Sequence, residues 1–273
     1  MSDITSDPLA VDRIVSSVEK RQQLTKDVKP SLIPTGFRGL DALVGGVRAG
    51  EMVVVGGKRK NGKTLVCQTL TERFRKQGVN SVWFSYEVPI DQFLEQMLEN
   101  TLFYLPNVLT KNAMDWVQAR CLEARDKFNC QIVFLDHLHY LIDMVKLRNP
   151  SLEIGAIVRG LKRMAIDLKL IVFLISHVRG TEVEVEITED HLRDSSMTAA
   201  EADTTWIVSR LFDKADEATN ICRLTVRNHR RTGVMAKSIK LIKIGTFFEE
   251  YVEGMDEMQA KGQLRSFYEP GAD

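Results

Sequence analysis

The chain has 273 residues, 44% of them hydrophobic and 27% charged, with only 7 prolines and 17 glycines; this excludes a largely disordered or collagen-like polypeptide. Its 37 Lys and Arg balance 37 Asp and Glu, so any hold on nucleic acid has to come from local loops rather than a basic surface. Four scattered cysteines with no Cys-x-x-Cys pair argue against a disulfide or structural-zinc framework and for a reducing, cytoplasmic setting.

Taken in chain order, Met1-Ser2-Asp3-Ile4 lacks the basic start and apolar stretch of a signal peptide. Residues 7–23 predict an amphipathic helix: Asp7 can cap it, Pro8 suits its first position, and Val11, Ile14, Val15 and Val18 share a face. Such a helix, about 15 residues long, is marginal alone, so its stripe must dock on its own domain or on a neighbour. A polar linker follows over 25–31. From 32 to 252 the pattern predicts one domain. Strands are expected at 52–55, 82–85, 131–135 and 170–175, and helices at 63–77, 89–104, 112–128 and 152–168. Continuous apolar strands alternating with helices imply an α/β fold with a mostly parallel sheet covered on both faces. Further strands at 205–211, 221–227, 238–243 and 247–252 read as an antiparallel extension, and residues 253–273 as a polar tail. No apolar run is long enough to span a bilayer, so no membrane partner is expected.

Gly57-Lys58-Arg59-Lys60-Asn61-Gly62-Lys63-Thr64, followed by Leu65, fits the phosphate-binding pattern G-x-x-x-x-G-K-[ST] between an apolar strand and a helix. The glycines let backbone N–H groups turn toward phosphate oxygens, and the helix adds its positive N-terminal end. Lys63 is expected on the β and γ phosphates of ATP and Thr64 on Mg²⁺. Lys58, Arg59 and Lys60 either strengthen that grip or face another ligand. Asp136, closing the strand at 131–135, is expected to orient Mg²⁺, because a buried strand-end carboxylate without a partner is costly. Glu87 follows the next strand and can polarise an attacking water; the competing reading is a solvated loop acid. His137 and His139 form a His-x-His pair. The pair could suggest a metal, but with no third Cys or acidic ligand arranged around it the structural reading is preferred.

These pieces occur together in an order that resembles the RecA-like ATPase domain of DnaB-type hexameric helicases, including the phage gene-4 and Twinkle branches. The ordered set is Pro34-Thr35-Gly36-Phe37-Arg38-Gly39-Leu40-Asp41, the P-loop, Phe84-Ser85-Tyr86-Glu87, Phe134-Leu135-Asp136-His137-Leu138, Ile175-Ser176-His177, Leu192-Arg193-Asp194-Ser195-Ser196, Ala202-Asp203 and the basic stretch from Arg227 to Gly233. The resemblance covers roughly residues 32–250. It implies a RecA-like P-loop fold that forms a ring, a hexamer, hydrolysing ATP with Mg²⁺ to move on single-stranded DNA and unwind duplex.

By the same resemblance Glu87 is the catalytic carboxylate and His177 stands where these helicases place a sensor of the γ-phosphate. Arg227 takes the place of a lysine that reaches into the neighbour's ATP, while His229 stands where an arginine is expected, leaving Arg230 or Arg231 to supply the finger. The helix ahead of the domain corresponds to a linker that docks on the adjacent subunit. Lys146 and Arg148 fall in a loop facing the channel and its DNA; the second such loop, Thr181-Glu182-Val183-Glu184-Val185-Glu186, is acidic. The resemblance implies an N-terminal domain or primase ahead of this domain, which the sequence does not show. The expectation is either a minimal helicase or a missing part supplied by another protein, such as a primase or other replication protein. The alternative is a RecA- or KaiC-like ATPase that binds nucleic acid or a replication partner without unwinding. The expected setting is the cytoplasm of a bacterial or phage-infected cell, or an organelle matrix.

Overall fold

The computed structural model describes residues 14–26, 32–109, 114–137, 150–177, 200–213 and 218–252, and it divides into two units, Met1–Ser31 and Leu32–Asp273. In the first unit a helix, α1, spans Ser17–Lys26, later than the expected 7–23. Its start has a local cause: the Ser16 hydroxyl accepts the Glu19 N–H at 3.1 Å, and Ser16 with Glu19 forms the S-x-x-E pattern that caps a helix. Ile14 and Val15 therefore precede the helix, while Asp7, Pro8 and Val11 lie outside the described residues.

The second unit is built on an eight-stranded sheet. It opens with β1 (Leu32–Ile33), α2 (Arg38–Val44) and β2 (Val47–Arg48), a small antiparallel ribbon closed by a short helix. Asp41 explains that corner. Its carboxylate accepts the Thr35 N–H and hydroxyl at 2.7 and 2.8 Å and the Gly36 N–H at 3.0 Å, and Gly36 has φ 81°, a conformation open to glycine at little cost. The main elements follow: β3 (Met52–Gly57), α3 (Lys63–Lys76), β4 (Asn80–Ser85), α4 (Ile90–Glu95), α5 (Met114–Phe128), β5 (Cys130–Asp136), α6 (Pro150–Leu168), β6 (Ile171–His177), β7 (Thr204–Phe212), β8 (Ala218–His229), β9 (Met235–Ile244) and β10 (Phe247–Glu250).

The strand order is β10-β9-β8-β7-β3-β6-β5-β4. Strands β4, β5, β6, β3 and β7 are parallel, and β8, β9 and β10 continue antiparallel from β7. The boundary thus falls one strand later than the sequence pattern implies, since β7 belongs to the parallel set. Period-two alternation sorts the side chains. Val53, Val55, Trp83, Phe134 and Phe173 meet Val66, Cys67, Leu70 and Phe74 of α3 on one face. Met52, Val54, Val133, Leu135, Val172 and Leu174 meet Val117, Cys121 and Ala124 of α5 and Val158, Leu161 and Ala165 of α6 on the other. On the α3 face an aromatic row crosses the strands, with ring centroids 4.6 Å apart for Trp83–Phe134, 4.9 Å for Phe134–Phe173 and 5.7 Å for Phe173–Trp206. Each such pair adds about 1 kcal/mol beyond its burial.

The expected helix over 89–104 is only α4, Ile90–Glu95. β4 is the sheet's edge strand, and its unpaired backbone groups take Tyr104: Trp83 N–H donates to the Tyr104 carbonyl at 2.8 Å, and Tyr104 N–H donates to the Ser81 carbonyl at 2.9 Å. Covering an exposed edge outweighs the helical pattern there. No described helix is long and apolar enough to cross a membrane.

Candidate functional site

Strand register assembles the site at the carboxyl edge of the parallel strands. Gly57 of β3 pairs with His177 of β6, Asp136 of β5 pairs with Ile175 of β6, and Ser85 of β4 pairs with Asp136. Tyr86 N–H then donates to the Asp136 carbonyl at 2.7 Å, which carries the chain onward to Glu87. Four segments distant in sequence therefore end side by side because their apolar strands align.

The P-loop leaves β3 at Gly57 and enters α3 through Gly62, whose φ of 90° puts it in the left-handed region. A Cβ at Gly62 would lie 2.9 Å from the Phe248 ring, so glycine is required there twice over. Asn61 Nδ2 donates to the Val208 carbonyl at 3.4 Å, tying the loop's tip to β7. Lys63 is buried, and its Nζ donates to the Lys58 carbonyl at 3.0 Å. Burial holds its pKa below the usual lysine value, against the pull of the Asp136 and Glu87 carboxylates. Arg59, Lys60, Thr64 and Leu65 line a pocket of about 720 Å³ with Glu87, His177 and Phe248.

Thr64 Oγ1 donates to Asp136 Oδ2 at 2.7 Å. Asp136 is fully buried. Its pKa is pushed up to about 6, chiefly by burial, with Thr64 opposing, Glu87 reinforcing and Lys63 opposing. Its second oxygen, Oδ1, has no hydrogen-bond partner among the described residues. A hydroxyl and a carboxylate side by side, one buried lone oxygen among them, offer the all-oxygen surroundings a hard cation such as Mg²⁺ takes; the residues fit that ion. Glu87, whose side chain is 34% exposed, places Oε2 3.4 Å from His177 Nε2 and 3.5 Å from His137 Nδ1. The His177 pKa lies below the usual value, first through burial and then through Lys63 and Arg59, with Glu87 pulling the other way.

Residues 33–103 and 107–250 match the family model described as DnaB-like helicase C terminal domain. The chain belongs to that family. Among curated relatives, the replicative DNA helicase DnaB of Leifsonia xyli subsp. xyli is 22% identical over 258 residues, covering 81% of this chain and 55% of the relative. DnaB of Geobacillus stearothermophilus is 21% identical over 290 residues, covering 91% and 63%. The chain thus spans little more than half the length of these relatives. Among solved structures, a DnaB-like replicative helicase described with its primase interactions superposes with a TM-score of 0.73 at 17% identity, over 88% of this chain and 69% of that one. A second solved structure, described as an ATPase domain, superposes with a TM-score of 0.72 at 18% identity, over 92% of this chain and 100% of that one. These likenesses establish the RecA-like fold of DnaB-type ATPase domains.

Within this DnaB-like domain the basic residues of the β8–β9 hairpin part company. Arg231 is held within its own chain: Nε donates to Glu51 Oε1 at 2.9 Å, and NH2 donates to the Val44 and Gly46 carbonyls at 3.0 and 2.7 Å. Of the two arginines, Arg231 is thereby a structural clamp. Arg230 is exposed, with its guanidinium against the Ala200 carbonyl and its backbone N–H donating to the Asp203 carbonyl at 2.8 Å. Arg227 is half-buried, at the β8 bulge opposite Thr205 and Trp206, below the hairpin tip. His229, where the family resemblance expects an arginine, is buried. Its Nδ1 lies 2.6 Å from Thr232 Oγ1 and accepts the Thr232 N–H at 3.2 Å, closing the turn.

His229 pairs with Thr204, which lies next to Val53 at the start of β3. The hairpin therefore stands at the end of β3 opposite the P-loop, roughly 17 Å away at the rise of a strand. Sequence reading also missed Arg210 and Lys243, which line the pocket from β7 and β9 with Gln96 and Thr246; Arg210 is the one charged residue of β7, whereas Lys243 is one of three lysines in β9 and gave no separate signal. Lys146, Arg148, His139, the acidic loop 181–186 and Leu192–Ser196 lie outside the described residues.

Proposed function

We propose that this chain is the motor domain of an ATP-dependent replicative DNA helicase, acting in the cytoplasm as a ring, a hexamer, that hydrolyses ATP between subunits to move along single-stranded DNA and part the duplex. The observation that carries the reading is the Thr64–Asp136 pair at 2.7 Å beneath buried Lys63, with Glu87 facing it inside a DnaB-like domain. Lys63, with its ammonium desolvated, exchanges the Lys58 carbonyl for phosphate oxygens and draws charge off the transferred group. The P-loop N–H groups, with Arg59 and Lys60 at the pocket wall, hold the phosphate chain in line.

Glu87 orients the attacking water, and His177, beside both Glu87 and the start of the P-loop, senses whether the terminal phosphate is present. Thr64 and Asp136 would hold Mg²⁺, which would supply positive charge to offset that of the phosphates. Because the hairpin bearing Arg230 and Arg227 lies at the far end of β3 from its own P-loop, these cations serve a neighbouring copy. That geometry supports assembly over a monomeric ATPase. Lys146 and Arg148 are proposed to touch the DNA backbone without sequence preference, the helix of the first unit to dock on the adjacent subunit, and a primase or other replication protein to join the ring.

The test is strand displacement on a forked duplex with and without ATP. ATP-dependent release of the displaced strand by wild type and none by Lys63→Ala supports the reading. ATP turnover stimulated by single strands without displacement would instead support the RecA- or KaiC-like alternative.

A further inference from the structure

Beside the oxygen pair Thr64–Asp136 stands a second cluster of different chemistry. Glu87, His137 and His177 each offer one ligand atom, and these atoms all lie within 4.8 Å of one another. In the sequence His137 lacks an acidic or third companion; the fold brings both, Glu87 from the loop after β4 and His177 from the end of β6. The Glu87 oxygen sits 3.4 Å from His177 Nε2 and 3.5 Å from His137 Nδ1. An ion with arms of about 2.1 Å and tetrahedral angles spaces its ligands about 3.4 Å apart, so two of the three edges already have that length.

The two imidazoles are nine-tenths or more buried and their rings meet edge to face, with centroids 4.6 Å apart. His177 Nδ1 has no hydrogen-bond partner among the described residues, while Nε2 faces the Glu87 carboxylate oxygen at 3.4 Å; a buried ring nitrogen left open is costly unless a ligand satisfies it. Glu87 opens onto the nucleotide pocket, which provides an entry path and room for a water as fourth ligand. Two imidazoles and a carboxylate suit a borderline ion, whereas Mg²⁺ favours oxygen alone. Lys63 and Arg59 lie close enough to disfavour added positive charge, which limits affinity without removing the ligands.

We propose that Glu87, His137 and His177 form a binding site for a transition-metal dication of the Zn²⁺ kind, distinct from the Mg²⁺ pair, and that its occupation inhibits ATP hydrolysis. The binding half stands on geometry. The inhibitory half rests on the reading of Glu87 above: a carboxylate engaged by the ion no longer orients water, and an imidazole engaged at Nε2 no longer reports on phosphate.

The experiment is titration of the full chain with Co²⁺, free of nucleotide, following the visible absorption of a tetrahedral site, then displacement by Zn²⁺. One ion per chain is expected. His137→Ala, His177→Gln and Glu87→Gln each weaken uptake by roughly 100-fold or more, beyond the 10–100-fold seen on removing a ligand's supporting partner. Thr64→Ala leaves uptake unchanged, and thermal melting confirms that the variants fold. No uptake by wild type, or equal uptake by a folded His137→Ala variant, overturns the site. In parallel, Zn²⁺ added to a Mg²⁺–ATP assay suppresses turnover of wild type and far less that of His137→Ala. Stoichiometric uptake with undiminished turnover overturns the inhibitory half and, with it, the assignment of Glu87, while leaving the metal site standing.

Discussion

The two ends of the parallel sheet both carry charged side chains and treat them oppositely. At the amino end of β3, Asp203 Oδ2 accepts the Met52 N–H at 2.7 Å and Lys162 Nζ at 2.6 Å, and Lys162 also donates to the Gly50 carbonyl at 2.7 Å. Glu51 accepts the Arg48 N–H and Arg231 Nε, both at 2.9 Å. These groups saturate one another. At the carboxyl end Asp136 Oδ1 and His177 Nδ1 are buried with no hydrogen-bond partner among the described residues. A buried polar atom without a partner costs about 1–3 kcal/mol. The contrast teaches that the charges at the amino end serve architecture, whereas the carboxyl end keeps buried polar atoms open at the candidate site.

Substitutions at the two ends should therefore leave opposite signatures. Lys63→Ala should have the largest effect on activity, lowering ATP turnover by about 10³-fold with little change in melting temperature; steady-state phosphate release near the wild-type rate would dissolve the distinction. Glu87→Gln comes next, with turnover down about 10²–10⁴-fold while a fluorescent ATP analogue still binds. At the other end Asp203→Ala strands Lys162 and the Met52 N–H, and should cost about 3 kcal/mol in urea unfolding. Arg231→Ala should cost about 1–2 kcal/mol, whereas Arg230→Ala should leave stability unchanged and lower turnover only in the assembled protein. Equal stability losses for the two arginines would blur the division of labour in the hairpin.

The smallest expected effect is a pH dependence at the satisfied end. Burial and Arg231 hold the His229 pKa below the usual value, against Glu51 and Asp203, which pull it up. The folded state thus prefers the neutral ring, so its contribution is present above the unfolded pKa of about 6.5 and is lost as pH falls through it toward the lower folded value. Protonation would also take Nδ1 away from the Thr232 N–H. Urea midpoints at about pH 7.5 and pH 5.5 should differ less in His229→Gln than in wild type; an unchanged difference would mean that the ring titrates alike in the folded and unfolded states.

Much of this was legible in the chain because it depends on local pattern. The P-loop spacing, the apolar runs that became β3, β5 and β6, and the periodic face of α6 need only neighbours in sequence to declare themselves. The burial of Asp136 at the end of β5 was foreseeable because the residue closes an apolar strand. What escaped depended on partners far along the chain. The helix over 89–104 gave way to the needs of the β4 edge, and Ser16 set the start of α1. Arg231 was separated from Arg230 by a clamp to Glu51, 180 positions away, and nothing in a run of basic residues says which one a distant carboxylate will claim. The trio of Glu87, His137 and His177 was the least visible, since it exists only through the register of β4, β5 and β6. Short-range chemistry is written in the spacing of residues, whereas convergence of side chains is a property of the packed sheet.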